Sequence, residues 1–439
     1  MKVRLAMVAR LASRGALFGL VMMGTAVAAA DDTDRVAGWR SDLDTLLAEI
    51  RGQHYVYRSR PLPPELLDGA EKLRARIPEL SDERVLVEMQ RLMVLLGDGH
   101  SFVPPFGAER VDSRRLPLRF YRFSDGLFVI DAQPGHEKWI GQRVTRIGRT
   151  PIAEVLTRLE SLVHRDNAMT IQWIGPVMLP YRGILETVAD GIDAQRISMT
   201  FEDSQSKRTE ATFAPIPPAG GMKIPKLIPS RLPGAAPVPL YLQKVTVHFW
   251  RKEIPEAHAL YVQFNQHIDT PQETLATFAE RLGDHLAEKK PRSVILDVRH
   301  NTGGEGHLGD PLVDVLDRYR AAGGRVFVIT ARSTFSAAQI FISKLDVRVG
   351  PVFAGEPSGS RPNFVGEDNF VKLPWSGATA GIASRYHETI PGDKRQWIEP
   401  SIRVDLSSAD YFANKDPVLE RVLEAARALV PATAGGGGR

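Results

Sequence analysis

From about Leu240 onward, short apolar runs alternate with amphipathic stretches, and this alternation constrains the fold more than any other feature of the sequence. The strand-like runs are ALYVQFN, SVILDV, RVFVIT and VRVGPVFAG. Between them lie TPQETLATFAERLGDHLAE, DPLVDVLDRY and the stretch that follows Ser336, all with helical spacing. A series of this kind builds βαβ units around a mainly parallel sheet. In the first of these helices Thr270 is expected to cap, Pro271 to take the first position and Glu273 to complete a capping box. Two more strands and a helix over DPVLERVLEAARAL close the chain before GGGGR, a tail expected to be disordered.

Upstream the pattern differs. Residues 32–97 read as helices, with Trp39, Leu43, Leu46, Leu47 and Ile50 on one face and Ser81 capping a third helix that ends near Gly97. LPLRFYRFSDGLFVIDA, GQRVTRIGRTPI and ISMTFED are strand-like, while TPIAEVLTRLESLV is a helix. Proline crowds residues 215–239, so that stretch is a loop or linker rather than a ladder of strands. The expected organisation is a signal peptide over 1–30, a helical segment over 31–112 that ends in a GDGH loop, and a small β-rich insert with its linker over 113–239. A core over 240–431 and a tail over 432–439 complete it.

The signal follows from order: MKVRLAMVARLASRG is basic, ALFGLVMMGTAVA is apolar, and small residues precede an acidic start at Asp31. The apolar run, Ala16 to Ala30, falls short of the ~20 residues that span a bilayer. A periplasmic or secreted protein with no stable membrane insertion after cleavage is expected. The chain has no cysteine, so disulfides, thiol nucleophiles and thiolate metal sites are excluded. No histidine–carboxylate cluster has ligand spacing, so neither a metal nor another cofactor is expected. Net charge is only +4 with the signs interspersed, which gives no support to a nucleic-acid partner.

In open α/β sheets ligands gather beyond the carboxyl ends of strands. Two loops fall there, DVRHNTGGEGH and TARSTFSAAQ. Gly303 and Gly304 allow backbone amides to approach a substrate, either as an oxyanion hole or as a plain turn. Ser336 opens a helix, a position that suits a cap and equally a nucleophile helped by the amide of Ala337 and by the helix dipole. A serine nucleophile needs a base. His100, in LLGDGHSFVPP, is available; Lys344 would lie about 12 Å along the same helix, too far to serve.

GDGHS, VILDVRHNTGGEG, TFSAAQIF, VFAGEPSGS and IEPSIRVDL occur here in the order in which the tail-specific, or C-terminal-processing, serine peptidases carry them, and the chain resembles that family. The resemblance implies an α/β fold with a ClpP/crotonase-like core, a mainly parallel sheet, an N-terminal helical segment and a small β-rich insert. It implies Ser336 as nucleophile and Gly303, Gly304 and Ala337 as oxyanion-hole positions. Many members carry a lysine base twenty-five residues after the serine; here that position is Arg361, which stays protonated and cannot act as a base. The chain is therefore more similar to the tricorn-core-like branch, with His100 as base and Glu367 as its supporting carboxylate, ahead of Asp98 and Glu399. Arg361 is then expected to bind a substrate carboxylate. GQRVTRIGRTPI is similar to the opening of a PDZ module.

Together these imply a serine endopeptidase of the carboxyl-terminal-processing kind, acting on protein or peptide substrates without a cofactor. The rival is a non-catalytic ligand- or lipid-binding protein on the same fold; an esterase is a third reading. Ser336 with His100 favours the enzyme, whereas Arg361 and Gln339, where the family often has glutamate, leave room for the carrier.

Overall fold

The computed structural model describes residues 32–218, 226–230, 232 and 236–428. The expected signal peptide, the C-terminal tail and part of the proline-rich linker lie outside them. The chain begins with helices α1 (Asp32–Gln53), α2 (Pro64–Arg76) and α3 (Asp82–Val94). Ser81 caps α3 as expected, its hydroxyl accepting from the Arg84 N–H. Next come β1 (Leu118–Phe123), β2 (Gly126–Ala132), β3 (Arg143–Ile147), β4 (Thr150–Pro151), α4 (Ile152–Leu159), α5 (Ala168–Met178), α6 (Arg182–Val188), β5 (Ile197–Glu202) and β6 (Arg208–Phe213). These strands form an antiparallel sheet in the order β1-β2-β3-β5-β6, with β4 on β3. The insert is more helical than its sequence suggests. Its α5 contains Pro176, which argues against a helix locally, but Asn167 caps its start and its apolar side chains pack on the sheet.

The remaining elements are α7 (Leu240–Gln243), β7 (Phe249–Ile254), β8 (Ala259–Phe264), α8 (Leu275–Lys289), β9 (Ser293–Asp297), α9 (Asp310–Ala321), β10 (Arg325–Thr330), α10 (Ala337–Arg348), β11 (Val352–Gly355), β12 (Asn363–Lys372), β13 (Thr379–Glu388), β14 (Ile402–Arg403), α11 (Ser408–Phe412) and α12 (Pro417–Ala428). The central sheet runs β14-β11-β10-β9-β8-β7, parallel throughout except for β7 at one edge. Both faces are covered, which is why its strands read as unbroken apolar runs. Val294 and Leu296 of β9 face α8, α9 and α10, while Ile295 between them faces α12. Each such side chain stabilises by roughly 1.5–3 kcal/mol on burial. The mainly parallel α/β architecture expected from the sequence is present.

Two local expectations are corrected. Thr274, not Thr270, caps α8, accepting from the Thr277 N–H; Thr270 and Glu273 instead close the turn that precedes it. Leu275 at the helix start is further held by Asp269. Val347 and Arg348 of the VRVG stretch lie in or at the end of α10, and the strand begins only at Val352. The hairpin β12–β13 leaves the central sheet and packs its Leu373, Ala380 and Ile382 with α1, α2 and α3. Buried Asp42 of α1 seals that union by accepting from the Trp375 and Ser376 N–H groups. The N-terminal helices and this C-terminal hairpin thus share one core.

Candidate active site

Two neighbouring strands of the parallel sheet, β9 and β10, deliver the two loops singled out in the sequence. They are tied to one another: Thr334 donates its hydroxyl to the Val298 carbonyl, and Phe335 its N–H to that of Asn301. Ser336 follows at the start of α10 with φ 56° and ψ −124°. A non-glycine residue in this region costs of order 1–3 kcal/mol and persists only where its surroundings impose it. The serine makes no capping hydrogen bond to the helix. Its own N–H donates to Ser360 Oγ at 3.2 Å, and its side chain is half-buried rather than sealed.

Gly303, at φ 106°, presses against this turn: a Cβ there would lie 2.8 Å from Ser336 Cβ and 3.0 Å from Ala337 N. Only glycine leaves that space open. Its N–H is engaged by Asn301 Oδ1 at 3.0 Å. The N–H groups of Gly304 and Ala337 donate to no backbone acceptor among the described residues. Gly304, at φ 128°, is exposed, and a Cβ on it would meet the His267 carbonyl oxygen.

His100 reaches this region from the opposite end of the chain. Its loop is shaped by Asp98, whose Oδ1 accepts from the His100 N–H at 2.8 Å and the Ser101 N–H at 2.6 Å. The other oxygen of Asp98 pairs with His54 Nε2 at 2.9 Å. Burial pushes the Asp98 carboxyl up, but the His54 bond and charge outweigh it and hold it below its ordinary value. The His100 ring is stacked between Phe335, at 4.5 Å between centroids, and Phe364, at 5.2 Å. Neither ring nitrogen has a hydrogen-bond partner among the described residues. Burial lowers its pKa to about 4, against the pull of Asp98, so the ring is neutral at pH 7. It sits on the residue next to the serine without bonding to the serine itself.

The structure does not bring Glu367 to His100. Glu367 is exposed and pairs with Arg385 at 3.2 Å. On the same strand Phe364 stacks on the ring, and a Cβ on Gly366 would lie 3.3 Å from His100 Cε1. Side chains alternate along a strand, so it is Asp368, not Glu367, that follows Phe364 and Gly366 on their face. Burial, with the nearby Asp98 charge, raises Asp368 to about 7, and its Oδ1 has no partner among the described residues. Glu399 is also outside, held by Trp397 and Arg403. Lys344 pairs with Asp310, away from the serine.

Arg361 is exposed and donates from Nε to the Asp166 carbonyl at 2.8 Å. Asp166 gave no signal in the sequence, yet it joins two parts of the site. Its Oδ1 accepts from the Gly99 N–H at 2.8 Å, beside His100. Ser360, the acceptor for the Ser336 N–H, adjoins Arg361 and lies near enough to Asp166 to counter the rise in its pKa. Burial, then Asp98, pushes Asp166 up to about 7. Among the described residues no group of histidines and carboxylates could hold a metal ion. Chemically, the arrangement offers a strained, accessible hydroxyl, two open N–H donors beside it and a neutral imidazole one residue away.

The fold is similar to that of mature CPAF complexed with lactacystin, at TM-score 0.61 and 12% sequence identity, over 90% of this chain and 98% of that one. Mature CPAF gives TM-score 0.59 at 13% identity, over 89% and 97%. A looser likeness, TM-score 0.38 at 12% identity over 86% and 98%, is to the photosystem II D1 C-terminal processing protease. No family model and no curated protein matches the sequence. Across nearly its whole described length, this chain carries the fold of mature CPAF, the α/β architecture that its resemblance to the tail-specific peptidases implies.

Proposed function

We propose that the chain is an exported serine peptidase. The observation that carries this reading is Ser336: a strained, uncapped serine at a helix start, with Gly303 held open against it and the Gly304 and Ala337 N–H groups unengaged. Ser336 Oγ attacks the peptide carbonyl carbon and His100 takes its proton. The negative charge that builds on the carbonyl oxygen is held by the N–H groups of Gly304 and Ala337. Gly303 serves as the space beside them rather than as a donor. His100 returns the proton to the departing amine, and water then releases the acyl group by the reverse sequence. His100 must first leave the Phe335–Phe364 stack; catalytic hydrogen bonds are often formed only with substrate bound. Asp368, on the face of β12 that carries Phe364, then serves as its supporting carboxylate.

A fluorophosphonate serine probe tests the reading. Labelling of the parent that disappears in Ser336→Ala supports it, and absence of labelling at any pH favours the carrier. Because mature CPAF occurs complexed with lactacystin, that compound is a second reagent to try. Export is tested by mass: protein recovered from the cell envelope should begin near Asp31, and an intact Met1 terminus there would refute cleavage.

A further inference from the structure

A cavity of about 330 Å³ lies between the insert and the central sheet. Trp173 of α5 stands on its wall with its ring 5.5 Å from that of Phe335. Thr302, adjacent to Gly303, and Ser333, three residues before Ser336, also line it. Three residues of chain reach at most about 11 Å, which bounds the distance from Ser333 to the nucleophile. An extended substrate advances about 3.3 Å per residue, so its third residue from the reacting bond can enter.

Most charges on the wall are already neutralised. Arg299 is bound by Asp297 and Asp416, and Arg332 by Glu356. Arg119, whose strand position is in register with Asp131, donates to the Lys226 carbonyl. Lys226 differs: its ammonium has the Asn265 carbonyl as its hydrogen-bond acceptor and, like Arg115 on the same wall, no carboxylate in ion-pair contact among the described residues; burial lowers its pKa to about 8. Tyr241 is 2% exposed, yet its hydroxyl has no hydrogen-bond partner among the described residues. Burial keeps that hydroxyl protonated, hence a donor. A buried donor left unmade is costly, and a cation without a counter-charge more so. One kind of group satisfies both: an anionic acceptor.

We propose that this cavity is a substrate subsite for a carboxylate carried about three residues from the bond cleaved, with Lys226 and Tyr241 as its donors. The proposal rests on the peptidase reading, and the shared chemistry is a carboxylate, whether of an acidic side chain or of a free C-terminus. Binding to the Ser336→Ala protein by calorimetry needs no turnover, so it fails or succeeds independently of probe labelling. The ligands are Leu-Ala-Ala-Phe as free acid and as amide, and the amides of Leu-Ala-Ala-Glu and Leu-Ala-Ala-Gln. A preference of 10- to 100-fold for an acid over its neutral match, the scale of a hydrogen bond to a charged group, is expected. The free-acid pair and the Glu/Gln pair tell the two sources apart. Tyr241→Phe removes an oxygen that bonds nothing and Lys226→Met keeps the apolar stem, so both should fold, and each should erase most of the preference. Equal binding of all four peptides, or a preference that both variants retain, overturns the proposal.

Discussion

The serine half and the histidine half of the site are built to different degrees. Ser336, Gly303 and Gly304 sit on loops from adjacent strands of one sheet, and the Val298 and Asn301 carbonyls lock those loops together. Nothing there has to move. His100 is set by packing among the N-terminal helices, the β12–β13 hairpin and the serine loop itself. Its backbone is pinned by Asp98, but its ring nitrogens are unsatisfied and its charged form is disfavoured. A sheet fixes Ser336 and the N–H groups beside it in advance, whereas an interface among separate layers holds the His100 ring in a stack without a bond to the serine.

The largest test asks whether the histidine half takes part at all. His100→Ala should lower kcat/KM for a cleaved peptide by about 10⁴- to 10⁶-fold, as much as Ser336→Ala, and the double variant should be no worse. Near-native turnover in His100→Ala would leave the serine half standing alone. Next, Gly303→Ala fills the space beside Ser336 and Ala337 N. Turnover should fall by roughly 100- to 1000-fold, the scale of losing one oxyanion donor, while circular dichroism reports whether the fold survives.

A pH profile sharpens the contrast further. A base with a pKa of about 4 is lost only as pH falls through that value, so kcat/KM should decline near pH 4 rather than near 6.5. Phe364→Ala opens the stack to water and should move that acid limb upward toward 6.5; an unmoved limb would show that burial by Phe364 does not set it. The smallest effect concerns stability. Asp368 has a folded pKa raised to about 7, so its contribution is full below its ordinary value of 3.8 and is lost as pH rises through 7. Thermal unfolding at pH 4 and pH 8 should therefore show the parent losing more Tm over that interval than Asp368→Asn. Equal losses would mean that Asp368 does not carry this burden.

Much of the serine half was legible because it is local. Apolar runs that alternate with helical stretches specify a parallel sheet, loops at the carboxyl ends of its strands specify where ligands gather, and the resemblance to the tail-specific peptidases implies the glycine pair and the helix-opening serine together. Local reading failed where two like residues compete, as Thr270 and Thr274 do for the start of α8, and where tertiary packing overrides propensity, as at Pro176. The sequence determined the sheet, the loop that carries Ser336 and the absence of thiol chemistry. Tertiary structure decided which carboxylate shares a face with His100, since the alternation along β12 turns Glu367 to solvent and leaves Asp368 with Phe364. It also decided that the first helices and a late hairpin form one core, and that Asp166 joins the His100 loop to Arg361. Periodicity records which side of its own element a residue faces; it carries no information about which distant element will be packed against that side.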